Sequence, residues 1–350
     1  MRRLPIFLVL DVSESMAGDN LRQISLGLEK LVGSLRQEPH ALETVYLSLI
    51  VFGGKAKVAT PLVELMSFYL PRLPIGAGTS LGAALNLVMD EMDRAVTKTT
   101  AEVKGDWKPI VYLFTDGKPT DDAKPAITRW KTKYATKAEM VAIGIGPFAA
   151  MKTLGELTEN AFHLKNDSEG DFAKFIKWMS MSVSSQSQSV QSSGSPGLSL
   201  AKIDESILTK INQIAQATAI DEDYVILTGK CERIRLPYVM RYTRLPNAVI
   251  GAAKVNAANQ MYRLDGVFPL EADYFDLSDD RALAQTINSE SLMGAPGCPH
   301  CGAPIGFAVC SCGGIHCLTH DETTCPWCNS SATYSAAGSG GGFDVGRSRG

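Results

Sequence analysis

Apolar runs alternate with amphipathic segments through the first half of the chain, and this alternation constrains the fold more than any other feature. Strands are predicted at residues 6–10, 45–52, 110–114 and 140–145, with weaker candidates in the stretches AKVAT and NAFHL. These runs are apolar at almost every position, which is typical of strands covered on both faces. Segments with apolar residues at helical spacing lie between them. The alternation predicts an α/β fold with a doubly wound, mostly parallel sheet.

The chain has 350 residues, which is enough for two domains, and its composition indicates where the boundary between them lies. The stretch SSQSQSVQSSGSPG predicts a flexible linker at residues 184–198, so the first domain is expected at 1–183. Residues 199–330 are expected to form a small α+β or β-rich domain, with one helix at 204–218 and a zinc finger at 298–328. The Gly/Ser-rich tail at 331–350 is expected to be disordered.

The charge and the N-terminal stretch limit the class of protein. A net charge of -3 argues against binding nucleic acid or a membrane surface through bulk charge. The stretch MRRLPIFLVLD begins with basic residues, but its apolar run stops at Asp11 and no small-residue cleavage site follows. No other apolar run is long enough to span a bilayer. We therefore expect a cytoplasmic protein.

Oxygen-bearing side chains follow two of the predicted strands. Asp11 ends the first strand, with Ser13 and Ser15 after it; Thr79 lies in the Gly-rich turn IGAGTS, and Asp116 follows the strand at 110–114. The carboxyl ends of parallel strands meet at one edge of a sheet, so these side chains are expected to converge. Hard oxygen ligands favour Mg²⁺, with Mn²⁺ or Ca²⁺ as alternatives. With few carboxylates, the ion would keep at least one replaceable position.

Two other interpretations of this pattern are weaker. Asp11 and Ser15 could simply cap the following helix, but capping does not explain Thr79 and Asp116. A phosphatase of the haloacid dehalogenase type needs D-x-D, and Ser13 replaces the second Asp. No His, Cys or Lys stands close in sequence to act as a base. We therefore expect no catalytic residues and a protein that is not an enzyme.

The order D-x-S-x-S, then Thr, then Asp resembles the metal-ion-dependent adhesion site (MIDAS) of von Willebrand factor A domains. The resemblance implies that the hydroxyls of Ser13, Ser15 and Thr79 contact the metal. It implies that Asp11 and Asp116 act directly or through water. It also implies that an acidic side chain of a partner protein fills the open position.

Seven of the eight cysteines lie between positions 298 and 328, and such a cluster without a signal peptide indicates metal binding rather than disulfides. The candidate zinc ligands are Cys298, Cys301, Cys310, Cys312, Cys317, His320, Cys325 and Cys328. All are protein ligands, so the site would be closed and structural. The remaining cysteine, Cys231, is expected to be a lone packed thiol.

The number of zinc ions stays open, with two preferred. One site would use Cys298, Cys301, Cys310 and Cys312, and the other Cys317, His320, Cys325 and Cys328, an order that resembles in-between-RING fingers. The rival arrangement is one zinc ribbon built from the two outer C-P-x-C knuckles. His300 and His316 are alternate ligands.

The whole chain resembles TerY-like proteins of bacterial tellurium-resistance and stress systems, which carry a TerY-C metal-binding domain. The stretches DEDYVILTGKCERIRLPYV, LMGAPGCPHCG and CPWC carry this resemblance. It implies a non-catalytic adaptor that works with a Ser/Thr protein kinase and a metal-dependent protein phosphatase. Two alternatives are an accessory subunit of an AAA+ ATPase and a zinc-finger protein that binds nucleic acid through the stretch CERIRLPYVMRYTR.

Overall fold

The computed structural model describes residues 2–145, 151–164, 169–193, 200–202, 208–210, 224–245, 260–278, 286–320, 322–334 and 342–347. The chain divides into two compact units. The first contains Met1–Val12, Asp19–Leu73 and Thr79–Ala219. The second contains Ser13–Gly18, Pro74–Gly78 and Ile220–Gly350.

The first unit contains a seven-stranded sheet. Its strands are β1 (Leu4–Asp11), β2 (Val45–Phe52), β3 (Ala56–Glu64), β4 (Ile110–Thr115), β5 (Glu139–Ile145), β6 (Ala161–Leu164) and β7 (Leu208–Lys210). The order across the sheet is β3-β2-β1-β4-β5-β6-β7. The five inner strands are parallel, and β3 and β7 pair antiparallel at the two edges. This arrangement confirms the predicted mostly parallel α/β fold.

Six helices accompany this sheet within the part of the chain that the structure describes. They are α1 (Asp19–Leu35), α2 (Pro39–Thr44), α3 (Leu81–Ala95), α4 (Lys124–Arg129), α5 (Met151–Leu157) and α6 (Glu169–Ser193), and a π-helical turn, Trp130–Tyr134, continues α4. Every residue of β1 is buried, as expected for a strand with helices on both faces. Within the described ranges, no helix combines the length and the apolar character needed to cross a membrane.

The second unit is built around a mixed six-stranded sheet. Its order is β12-β10-β9-β8-β14-β13, where the strands are β8 (Tyr224–Lys230), β9 (Pro237–Arg244), β10 (Tyr262–Pro269), β12 (Leu292–Met293), β13 (Ile305–Val309) and β14 (Ile315–Leu318). Two small ladders pair β11 (Thr286–Asn288) with β17 (Asp344–Gly346) and β15 (Glu322–Thr324) with β16 (Ser331–Thr333). A short helix, α7 (Tyr274–Leu277), follows β10. Since β13 and β14 belong to the main sheet, the cysteine-rich region is part of this unit's core fold.

The predicted linker at 184–198 is wrong for residues 184–193, because α6 continues through Ser193. Gln186 and Ser187 are buried, and the hydroxyls of Ser187 and Thr44 lie 2.7 Å apart in a hydrogen bond. A Ser/Gln-rich composition does not exclude a helix when one of its faces packs on a neighbour. Residues 194–199 lie outside the described residues.

The predicted disorder of the tail is wrong for its described residues. Val345 of β17 is buried in the core of the second unit, and Arg347 donates a hydrogen bond to the Tyr224 carbonyl at 2.6 Å. The predicted helix at 204–218 is also wrong in part, because Leu208–Lys210 is the edge strand β7; its other residues lie outside the described residues.

Candidate functional site

Two carboxylates lie at neighbouring strand ends in the first unit. Asp11 is the last residue of β1, and Asp116 directly follows β4, which pairs with β1 in parallel. The hydroxyl of Thr115 donates to Asp11 Oδ2 at 2.5 Å. Asp11 is fully buried and Asp116 is 8% exposed. The structure therefore brings these two acids together at the carboxyl edge of the sheet, where ligands bind in open α/β folds.

Thr79 lies beside the second of these acids. Its backbone N–H donates to the Thr120 hydroxyl at 2.9 Å, and the Thr120 N–H donates to the Thr79 carbonyl at 2.9 Å. A Cβ placed on Gly117 would lie 3.2 Å from Thr79 Oγ1. This close approach places the Thr79 hydroxyl against Gly117, the residue that follows Asp116.

Ser13 and Ser15 follow Asp11 by two and four residues, and both are buried in the second unit. Their hydroxyl oxygens lie 3.0 Å apart. Two ligands at right angles on an octahedral Mg²⁺ with bonds of about 2.1 Å also lie about 3 Å apart. Ser13 makes no side-chain capping bond to the 3₁₀ turn Glu14–Met16, which argues against a purely capping role. The donor chemistry and this spacing fit a hard divalent cation.

Glu14 lies between the two serines and was not singled out from the sequence, because the motif leaves this position unspecified. It is fully buried, and its Oε1 accepts hydrogen bonds from the Tyr274 hydroxyl at 2.5 Å and the Thr228 hydroxyl at 3.1 Å. Burial raises the pKa of Glu14 to about 7, while the two hydrogen bonds act in the opposite direction.

The cysteines form two groups of four in the second unit. Within each group, the sulfur atoms all lie within 4.8 Å of one another. The first group is Cys231, Cys298, Cys301 and Cys317, and the second is Cys310, Cys312, Cys325 and Cys328. Four thiolates at this separation match the ligand set of a closed tetrahedral zinc site.

Strand pairing explains how Cys231 reaches the first group. Strands β8 and β14 are parallel, with Gly229 opposite Ile315 and Lys230 opposite His316. The next positions along the two strands are Cys231 and Cys317. The Glu232 N–H donates to Cys317 Sγ at 3.3 Å, a bond that orients the sulfur.

The same local turn recurs at four of the cysteines. In each turn, the cysteine N–H donates to a carbonyl four or five residues later, and the cysteine carbonyl accepts from an N–H three or four residues later. The first residues of these turns are Cys231, Cys298, Cys310 and Cys325. Each turn contains one residue with positive φ: Arg235, Gly302, Gly313 and Asn329, respectively. Cys231 therefore begins a zinc-knuckle-like turn even though its stretch has no second cysteine.

These groups correct the pairing expected from the sequence. Cys298 and Cys301 join Cys317 rather than Cys310 and Cys312. His320 is exposed and belongs to neither group, whereas Cys231 is a member of one rather than a lone thiol.

The other expected zinc arrangements also differ from the structure. The two outer knuckles belong to different groups, so they do not form a single ribbon. The alternate ligands His300 and His316 contact the Pro237 carbonyl and the Tyr334 hydroxyl instead.

The surroundings shift the pKa of these thiols in both directions, and hydrogen bonds lower the pKa of Cys301, Cys310 and Cys328. Burial raises the pKa of Cys298, Cys317 and Cys325, so the thiolate forms are unfavourable without a compensating positive charge. A soft divalent cation such as Zn²⁺ supplies that charge and fits an all-sulfur ligand set.

Comparison with known families identifies two domains in the chain. Residues 6–177 match the von Willebrand factor type A domain, so the first part of the chain is a von Willebrand factor A module. Residues 221–350 match the TerY-C metal binding domain. The chain thus has the TerY-like architecture of a von Willebrand factor A domain followed by a TerY-C domain, as the sequence motifs predicted.

Solved structures with a similar fold have low identity to this chain. Proximal thread matrix protein 1 from the mussel byssus is 18% identical, with 52% of this chain and 48% of that chain covered and a TM-score of 0.40. A form of it with a zinc-occupied MIDAS motif is 19% identical, with 52% and 48% covered and a TM-score of 0.39. A von Willebrand factor type A protein from Catenulispora acidiphila is 16% identical, with 52% and 43% covered and a TM-score of 0.39. The chain spans about half the length of these structures. A search of curated proteins returned no match.

Proposed function

We propose that this protein is a non-catalytic adaptor that binds partner proteins through a divalent cation. Asp11, Ser13, Ser15, Thr79 and Asp116 would hold Mg²⁺, with Mn²⁺ or Ca²⁺ as alternatives. The observation that carries the proposal is the pair of buried carboxylates, Asp11 and Asp116, at the adjoining carboxyl ends of β1 and β4. Three hydroxyls fill three of the six positions of an octahedral ion, and the two carboxylates would bind directly or through water, so at least one position remains for an acidic side chain of a partner.

The two cysteine groups support a structural role for zinc. Each group offers four thiolates, which complete a tetrahedral site and leave no position for a substrate. The proposal is two Zn²⁺ ions that stabilise the fold of the second unit. Thiolate sites of this kind persist in a reducing compartment, which supports a cytoplasmic location.

The signalling context rests on the TerY-like architecture. We place the protein in a bacterial stress-response system of the tellurium-resistance type, with a Ser/Thr protein kinase and a metal-dependent protein phosphatase as partners. The match of residues 221–350 to the TerY-C domain supports this context.

The described residues give little support to a nucleic-acid interface. Arg241 lies in the stretch that suggested one, but it is paired with Asp265 at 2.6 Å and donates to backbone carbonyls. Arg235 of the same stretch donates to the Asn329 side chain at 2.8 Å. Arg241 and Arg235 therefore already bond to other groups of the second unit, which does not favour a phosphate-binding role for these two side chains.

Co-purification from the native host tests the adaptor function. The wild-type chain is compared with Asp116→Asn, which removes one carboxylate charge, and with Asp122→Asn, a control six residues later whose side chain accepts a hydrogen bond from the Lys124 N–H. We expect the wild type and Asp122→Asn to retain a kinase or a phosphatase in Mg²⁺, and Asp116→Asn to lose it. The same partners with all three chains would contradict a cation-dependent adaptor.

A further inference from the structure

Glu14 is the residue between the two serines of D-x-S-x-S, and its carboxylate is fully buried inside the second unit. A buried carboxylate is costly unless hydrogen bonds compensate for its lost hydration. The Tyr274 and Thr228 hydroxyls both donate to Glu14 Oε1, and these two hydroxyls lie 2.9 Å from each other. The three side chains form a closed polar network around one carboxylate oxygen.

Arg241 holds the backbone that follows Glu14. Its Nη1 donates to the carbonyls of Ser15 and Ala17, each at 2.8 Å. Its Nε donates to Asp265 Oδ2 at 2.8 Å, which fixes the plane of the guanidinium. Hydrogen bonds from a charged donor are stronger than those between neutral groups, so this contact restrains the Ser15 peptide firmly.

The end of the same segment packs closely against its neighbours. Gly18 has φ +90°, and a Cβ there would lie 2.6 Å from the ring of Phe268. At the start of the segment, Ser13 forms a β-bridge with Gly76. The next residue after Gly76 is held in turn, because the Ala77 N–H donates to the Ser278 hydroxyl at 3.0 Å. The segment 13–18 is therefore held by its side chain, its carbonyls and its close packing.

We propose that Tyr274, Thr228 and Arg241 are positioning residues that set the affinity of the cation site. They act through Glu14 and the Ser15 peptide, which present the Ser13 and Ser15 hydroxyls as ligands. This inference rests on the proposed cation-binding function of D-x-S-x-S. Tyr274, Thr228 and Arg241 belong to the same unit as Ser13 and Ser15, and they would determine how these two serines are presented to the cation.

The expected change in metal affinity follows from the known effect of groups that orient metal ligands. Loss of such a partner typically weakens metal affinity 10–100-fold, because the ligand oxygens leave their productive positions. Tyr274→Phe removes only the hydroxyl that donates to Glu14. We expect it to raise the Kd for Mn²⁺ about tenfold.

The test is a titration of the zinc-loaded full chain with Mn²⁺, followed by electron paramagnetic resonance. Tyr242→Phe is the matched control, because Tyr242 is buried in the same unit and its hydroxyl has no hydrogen-bond partner among the described residues. We expect the control to bind Mn²⁺ like the wild type. Thr228→Val, which removes the second donor to Glu14, is a further variant in case Tyr274→Phe does not fold.

A double-mutant cycle separates positioning from general destabilisation. If Tyr274 acts through Glu14, then Glu14→Gln combined with Tyr274→Phe weakens Mn²⁺ binding no more than the stronger single change. Zinc content and the urea midpoint of each variant report its folding. A weakening that simply adds in the double variant would overturn the proposal.

The remaining outcomes distinguish this inference from the proposed function. If Tyr274→Phe and Thr228→Val bind Mn²⁺ like the wild type, while Asp116→Asn does not, the positioning role is wrong and the cation site stands. If the wild type and Asp116→Asn bind Mn²⁺ equally poorly, both the positioning role and the cation site are wrong.

Discussion

Cys231 and Cys317 are neighbours because β8 and β14 run parallel, and their sulfur atoms lie within 4.8 Å of each other. No local spacing in the sequence links these two cysteines, since Cys231 stands well before the cluster. The pairing assigns Cys231 to a four-thiol group and leaves His320 outside both groups. Zinc stoichiometry can therefore distinguish the structure from the sequence-based pairing.

Replacing Cys231 is expected to remove one zinc ion. Cys231→Ser leaves three thiolates in the first group, which are not enough for a closed tetrahedral site. We expect one zinc per chain for Cys231→Ser and two for His320→Ala, measured by inductively coupled plasma mass spectrometry of the purified chains. If His320→Ala lost a zinc ion and Cys231→Ser kept both, the result would support the sequence-based pairing and contradict the structure.

The continuation of α6 predicts sensitivity at Ser187. Its side chain is fully buried and hydrogen-bonded to Thr44, so Ser187→Leu would overpack the site and leave the Thr44 hydroxyl with one partner fewer. We expect a loss of about 1–3 kcal/mol in the free energy of unfolding, measured by urea denaturation. Gln188→Leu, on the exposed neighbouring position, is the control and should change stability less than Ser187→Leu. Equal effects at both positions would argue for an unpacked linker.

The described part of the C-terminal tail is expected to stabilise the second unit. Val345 of β17 is 2% exposed, whereas its neighbour Asp344 is exposed on the other face of the strand. Val345→Ala should lower the thermal midpoint of this unit through a core cavity worth about 1–2 kcal/mol, and Asp344→Ala should have a smaller effect. Differential scanning calorimetry of both variants checks this. A tail that does not pack would show no difference between them.

Local patterns predicted the first unit well. The strand expected at 45–52 has the same bounds as β2, and the strands at 6–10, 110–114 and 140–145 gain only one to three residues in β1, β4 and β5. Apolar runs determine such strands because both faces are covered. The same parallel topology led us to expect Asp11, Thr79 and Asp116 at one edge of the sheet.

Long-range contacts explain what the sequence did not predict. The ligand pairing depends on β8 joining β14, and the burial of Glu14 depends on Tyr274, far along the chain. The helical continuation of a Ser/Gln-rich stretch depends on its packing against α2. Only the count of eight cysteines, which is enough for two four-thiolate sites, could have pointed to Cys231.

A count of bound metals on the intact chain tests most directly whether two kinds of metal site exist together. Native mass spectrometry of the full-length protein in Mn²⁺ should show two zinc ions and one manganese ion for the wild type. Asp116→Asn should keep both zinc ions and lose the manganese. A wild-type chain without manganese, or an Asp116→Asn chain that retains it, would contradict a cation site at the end of β1 and β4.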